Sequence, residues 1–347
     1  MDNKTIPQIP SARPLPAVTL IILLTAATAL SALSVSFTLP FILLASGILS
    51  FVILRTEKIT PALIALPAYA IAVLISGSPL IALIALIPIP PAITCAKAVR
   101  DNPRSISTAM TAAALAAILL IITAVDFIAA TGSISPEAIR SFFDEQTALL
   151  ATAVTESINA NLSALPEELA SEQTLLSPEN VKALFDCVLP LIPGYFAACA
   201  YALAYVIHIL QSGLCSLFGP NTLPAEARSM RPSVISAYVF SIVYVIVMLF
   251  SAVKTNSTVF LILCRNLIVI LTIPFAICGI GGLRFRFKRS RGTLTAPLII
   301  LAAIFFTLLN PAAVLNAAAF LGVIDSFVRR YGSSNYYDDD YEDSDYL

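Results

Sequence analysis

Charge is scarce in this chain: only 12% of its 347 residues are Asp, Glu, Lys or Arg. A soluble domain of this size could not hide so much hydrocarbon in one core, whereas a bilayer can. Histidine is almost missing as well. The single His208 excludes a histidine-rich metal site and the H-E-x-x-H pattern. No G-x-x-x-x-G-K-[ST] occurs, so the chain brings no Walker-type ATP site of its own. No pair of acidic residues sits inside the apolar runs to make an intramembrane aspartyl dyad. Glu167 and Glu168 lie in a hydrophilic stretch without the arginine or histidine partners of an intramembrane glutamic protease. The expectation is a protein that is not an enzyme, with no catalytic residue and no cofactor.

The six cysteines (Cys95, Cys187, Cys199, Cys215, Cys264, Cys278) lack C-x-x-C spacing and fall in or beside apolar segments. They read as small buried hydrophobes, not as a metal or disulfide framework.

Apolar sequence is abundant. The hydrophobic fraction is 58% and the mean hydropathy +0.90, against a globular norm of roughly half apolar and about a quarter charged. A spanning helix needs about 20 mostly apolar residues. Ten such segments can be drawn: 17–35, 38–54, 60–75, 79–96, 105–130, 187–210, 232–253, 257–281, 294–309 and 311–327. The runs are continuous rather than alternating, which argues against a membrane barrel. The first run is longer than a signal peptide's and a second follows at once, so it reads as a retained anchor. The last two are split at Asn310–Pro311, because one helix over both would be about 50 Å long against a core of about 30 Å.

Charge orients the spans. With the N-terminus inside, the inner loops hold Arg55 and Lys58; Lys97, Arg100 and Arg104; Arg228 and Arg231; and Arg284 to Arg291. Ten spans also put Arg329 and Arg330 inside, as the positive-inside rule requires, whereas nine would leave them outside. The expected location is the cell membrane, with both termini cytoplasmic. Basic residues confined to short loops serve this orientation, so no nucleic-acid partner is expected; the lipid bilayer is the partner the composition demands.

Residues 132–186 carry nine acidic and two basic side chains, and the tail from Tyr331 six acidic and none basic. The chain therefore divides into an N-terminal membrane block (1–131, about five spans), an acidic extracytoplasmic helical insert (132–186), a C-terminal membrane block (187–330, about five spans) and an acidic disordered cytoplasmic tail (331–347). In the insert, Ser135-Pro136-Glu137 and Ser177-Pro178-Glu179 both read as N-cap, first-turn proline and dipole-matched acid. They predict helices over 136–164 and 178–188, the second running into span six past Pro190 and Pro193. An apolar stripe (Ile139, Phe142, Phe143, Leu149, Leu150, Ala153, Val154) either packs on the membrane domain or lies in the lipid interface. The tail is either a solvated extension or a docking peptide for a basic partner.

Polar features inside the apolar zone supply the candidate site, because intramembrane charge is costly and usually faces protein or water. Arg265 and the adjacent Asn266 in span eight read as a substrate or ion contact in a cavity; alternatively Arg265 snorkels or pairs with a structural acid. Asp126, at comparable depth in span five, is the candidate partner. Pro88, Pro90 and Pro91 either break span four around a cavity or simply end it near the inner face. His208 reads as interfacial. Ala27-x-x-x-Ser31 and Thr28-x-x-x-Ala32 form a small-residue surface where another helix, from this chain or a further membrane subunit, could dock.

Three stretches together carry a resemblance: Pro190–Pro193 after the acidic insert; Asn266 to Leu271 leading to Gly279-Ile280-Gly281; and Phe320-Leu321-Gly322-Val323-Ile324-Asp325-Ser326-Phe327-Val328-Arg329-Arg330. The chain resembles the YybS-like family of bacterial multi-pass membrane proteins over most of residues 15–330. That family is distantly similar to the substrate-binding components of energy-coupling factor transporters, which bind vitamins or metal ions and dock a coupling subunit through an alanine-x-x-x-alanine surface. The resemblance implies an all-α polytopic protein that binds a small-molecule solute, or serves its transport, and depends on other subunits for energy. A membrane scaffold or regulator recruiting partners through the insert or the tail is the alternative.

Overall fold

A computed structural model describes residues 35–56, 58–60, 63, 65–77, 85–101, 104–133, 135–162, 178–218, 232–252, 259–289 and 310–331. These residues hold no strand and fold into ten α-helices: α1 (Val35–Thr56), α2 (Ala65–Ser76), α3 (Ile89–Asp101), α4 (Arg104–Thr131), α5 (Pro136–Leu162), α6 (Pro178–Val188), α7 (Ile192–Phe218), α8 (Val234–Ala252), α9 (Val259–Arg289) and α10 (Pro311–Tyr331). One 3-10 turn, Leu189–Leu191, joins α6 to α7.

Six helices are long and apolar enough to cross a membrane: α1, α4, α7 with its α6 lead-in, α8, α9 and α10. Large apolar side chains lie on their outer faces, Leu263 at 62%, Ile235 at 75% and Val259 at 74% exposure. Such a surface suits lipid, not water. Two of the ten segments drawn from sequence are shorter as helices. Segment 60–75 yields the 12-residue α2, and segment 79–96 yields α3, which starts only at Ile89. Segments 17–35 (apart from Val35) and 294–309 lie outside the described residues.

Local signals explain several helix starts. The Ser135 hydroxyl accepts the Ala138 N–H at 3.0 Å, and Asn310 Oδ1 accepts the Ala313 N–H at 3.0 Å. Both are N-caps with proline at the next position, where its missing N–H has no helical partner to lose. The same logic governs Pro90 and Pro91, which occupy the first turn of α3. Pro90 and Pro91 thus sit where a helix opens, and Pro88 and Pro91 are buried; residues 78–84 before them lie outside the described residues.

Side-chain levels give the helix directions. Gly47 of α1 lies against Leu210 and Gln211 of α7; Ile42 shares a cluster with Ile87 and Leu203, while Leu49 and Ile53 share another with Ala92, Ala96 and Leu214. Helices α1, α3 and α7 thus run the same way. Ser107 of α4 bonds the Ala98 carbonyl at 2.8 Å and Ala112 packs with Ala200 and Ala204, so α4 runs opposite. In the second block, Tyr238 stacks edge-on with Phe327 and Tyr244 with Phe320, making α8 antiparallel to α10. Helices α9 and α10 are parallel: Gly279 meets Gly322, and three positions further Gly282 faces Asp325. A Cβ on Gly279 would run into the Ala318 carbonyl oxygen, and one on Gly322 into that of Phe275. The close backbone approach requires glycine at both positions.

The insert forms a hairpin of α5 on α6. Its seam is lined by Thr147, Ala151, Thr155 and Val181, all buried. Phe142 meets Phe127 at the end of α4, with ring centroids 5.4 Å apart. Of the apolar stripe, Ile139, Phe143, Leu149 and Leu150 are exposed; small residues, not these, let the two helices approach.

Candidate functional site: a buried polar cluster among four helices

Helices α1, α3, α4 and α7 enclose a group of uncharged polar side chains. Ser46, Ser50, Ser107, Thr108 and Thr111 are 0% exposed, His208 and Gln211 1%, and Cys95 0%. Two of the hydroxyls are tied to their own helices, Ser46 to the Ile42 carbonyl and Thr111 to that of Ser107 at 2.9 Å. This is the standard way to hide Ser and Thr in an apolar helix.

Cross-helix contacts converge on His208. Its Nε2 lies 3.2 Å from Thr111 Oγ1, and its Nδ1 lies 3.5 Å from Cys95 Sγ. Cys95 Sγ is also 3.5 Å from Gln211 Oε1. Thr111 Oγ1 donates to the Ser107 carbonyl and the Cys95 thiol donates to Gln211 Oε1, so both ring nitrogens of His208 face groups that can accept, and either tautomer finds a partner. Among the described residues Gln211 Nε2 has no partner, and neither has Ser50 Oγ. A buried amide held by one end costs free energy of about 1–3 kcal/mol. Along the helices, Thr111 sits about 10 Å in from Arg104 at 1.5 Å per residue, so the cluster lies within the span and toward its basic end.

This corrects the interfacial reading of His208. The ring is inside the bundle, 1% exposed, because α7 continues to Phe218, beyond the segment end drawn at residue 210, so His208 is not at the end of its helix. Among the cysteines, Cys187 and Cys199 are exposed, while Cys95, Cys215, Cys264 and Cys278 are buried. Cys95 is a hydrogen-bonding member of a polar group and more than a small hydrophobe.

The residues singled out from sequence lie elsewhere. Asn266 of α9 inserts its amide at the start of α7. Oδ1 accepts the Gly194 N–H at 2.6 Å, and Nδ2 donates to the Pro190 carbonyl at 2.8 Å and to that of Ile262 at 2.9 Å. In an unbroken helix Gly194 would bond Pro190 directly. One carboxamide serves both groups where Pro190 and Pro193 disturb the ladder. Arg265 is half-buried on the same helix and has no ion pair among the described residues. Asp126 lies near the end of α4, and its side chain falls outside the described residues, as do Ala27, Thr28, Ser31 and Ala32. Pro88, Pro90 and Pro91 precede or open α3, the helix that carries Cys95. Asp325, passed over in the sequence, is half-buried, with Oδ2 3.8 Å from Cys278 Sγ.

No group of three or more His, Cys, Asp or Glu among the described residues is placed to hold a metal ion. Comparison of the chain with protein-family models, curated proteins and solved structures finds no match.

Proposed function

We propose that this chain is a solute-binding or transport-related membrane component without its own ATPase, and that its solute site is the His208 cluster. One observation carries the reading: Gln211, 99% buried among α1, α3, α4 and α7, keeps an amide N–H₂ with no partner among the described residues. Polar groups inside a membrane are expensive, and those retained without full satisfaction mark pathways and sites more often than packing. The resemblance to the YybS-like family, and through it to substrate-binding transporter components, leans the same way.

The helix directions support the ten-span plan. Helices α1 and α3 are parallel, as are α9 and α10, and the ten-span plan requires both pairs to be so. The ends of α1, α3, α7, α9 and α10 and the start of α4 then share one face, which gathers the basic loops and is cytoplasmic in the cell membrane. The acidic insert lies on the other face.

The scaffold alternative is favoured by one feature, the exposed Ile139, Phe143, Leu149 and Leu150 on α5. The deciding experiment is thermal unfolding of detergent-purified protein against vitamins, nucleosides, amino acids and metal ions. Gln211→Leu and Arg265→Ala are scanned in parallel. A ligand at 100 times its Kd adds about 2.7 kcal/mol to the native state. A hit lost in Gln211→Leu supports the cluster; a hit lost only in Arg265→Ala moves the site to α9. A panel silent throughout, with partner capture that depends on the insert, supports the scaffold.

A further inference from the structure

We propose that Cys95 and His208 form a two-donor site for a soft monovalent cation, Cu⁺ in chemical class, and that this cation is the solute of the cluster. The inference rests on the solute-binding reading above and names its substrate. Cys95 Sγ and His208 Nδ1 are 3.5 Å apart. With metal–sulfur and metal–nitrogen distances of about 2.3 Å and 2.0–2.1 Å, donors at a trigonal angle stand about 3.8 Å apart and collinear donors about 4.4 Å. The ion therefore enters as the two side chains part, by about 0.3 Å for a trigonal site and by about 0.9 Å for a linear pair. The site uses the tautomer with the proton on Nε2 facing Thr111 Oγ1, 3.2 Å away, which turns the Nδ1 lone pair to the cysteine side. Orientation of a ligating imidazole through its other nitrogen is the usual outer-shell device. Gln211 Oε1, also 3.5 Å from Sγ, is a third donor beside the same sulfur, held by a side chain whose other end has no partner among the described residues.

Charge and softness select the ion. Thiolate and imidazole favour soft metals over alkali and alkaline-earth cations, which want oxygen. The cluster's Ser, Thr, Cys, His and Gln side chains include no carboxylate. Binding replaces the Cys95 S–H bond by a sulfur–metal bond and releases one proton to solvent. The thiolate's single negative charge then cancels a monovalent cation, whereas a divalent ion would leave a net positive charge inside the bilayer. A closed zinc site would also want four protein ligands, and the described residues offer no such group.

Ag⁺ is the probe, having the charge and ligand preference of Cu⁺ without its redox chemistry. The full-length protein is prepared with Cys187, Cys199, Cys215, Cys264 and Cys278 replaced by alanine, leaving Cys95. One equivalent of Ag⁺ should raise its thermal midpoint and co-elute on gel filtration; K⁺ and Zn²⁺ should not. The upward shift should vanish on adding Cys95→Ser or His208→Leu. Should His208→Leu fail to fold, Thr111→Val retains both donors and should weaken Ag⁺ binding roughly 10–100-fold. A lowered or unchanged midpoint means that the thiol meets silver only in the unfolded chain, and overturns the site. So does a shift that survives loss of both His208 and Thr111. If silver has no effect while an organic solute stabilises the protein through Gln211, the metal assignment falls and the solute-binding reading stands. If silver binds as described but does not cross proteoliposomes containing the protein, the site stands and transport falls.

Discussion

Asn266 offers the most quantitative test of the helix packing. Replacing it by alanine removes the acceptor for the buried Gly194 N–H and the donor to the Pro190 carbonyl. An unsatisfied buried N–H costs about 1–3 kcal/mol, and a side-chain hydrogen bond between membrane helices is worth about 0.6 kcal/mol on average. Pro190 is exposed, so its carbonyl regains solvent and adds little. Asn266→Ala should therefore destabilise the protein by about 2–3 kcal/mol. Gly194→Ala attacks the same joint from the other side: its new Cβ would lie 2.6 Å from Asn266 Oδ1 and 3.0 Å from Asn266 Cα, an overpacking worth about 1–3 kcal/mol. With Asn266 already truncated the Oδ1 clash disappears, so the double mutant should cost less than the sum of the single ones by at least about 0.5 kcal/mol. Reversible unfolding in mixed detergent–dodecyl sulfate micelles, followed by helical circular dichroism, measures all three. An Asn266→Ala cost below about 0.5 kcal/mol, or strict additivity, would refute the bridging role.

Three other outcomes follow from the same geometry. Gly322→Ala drives a methyl group into the Phe275 carbonyl, and should cost about 1–3 kcal/mol or more in the same unfolding assay. Gln211→Leu removes an amide that is only half satisfied, so stability should stay level or rise by about 1 kcal/mol, while the ligand response of the thermal scan disappears. Cys187, exposed on α6, should react with a membrane-impermeant maleimide added to intact cells; cysteines placed at the basic C-terminal end of α9, at 284–289, should react only after the membrane is opened.

What the sequence made legible was mostly local. Ser135-Pro136 and Asn310-Pro311 announce helix starts because the cap and its proline are neighbours in the chain, and the structure begins α5 and α10 there. The all-helical fold with multiple apolar helices follows from composition. Segment lengths were less legible. In 79–96 a first-turn proline pair starts α3 midway, and hydropathy alone does not distinguish that from a proline-broken span. The His208 cluster was hidden for another reason. Cys95, Thr111, His208 and Gln211 are single polar residues in separate apolar runs, with Cys95 and Gln211 116 positions apart. No spacing connects them until the helices pack. Asn266 was visible as a polar intruder in span eight, but its partners are backbone groups released by Pro190 and Pro193, a debt that only the assembled joint reveals.

Cys95 reports directly on whether the cluster is a reachable site or a sealed seam. In a protein whose other five cysteines are replaced by alanine, modification of Cys95 by a small cationic thiol reagent can be timed under native conditions, with and without the stabilising ligand. A solute site must open on the working timescale, so Cys95 should react in the folded protein, and the ligand should slow that reaction in proportion to occupancy. If Cys95 reacts only at the rate of global unfolding, whatever ligand is present, the cluster is packing and the proposed function is wrong.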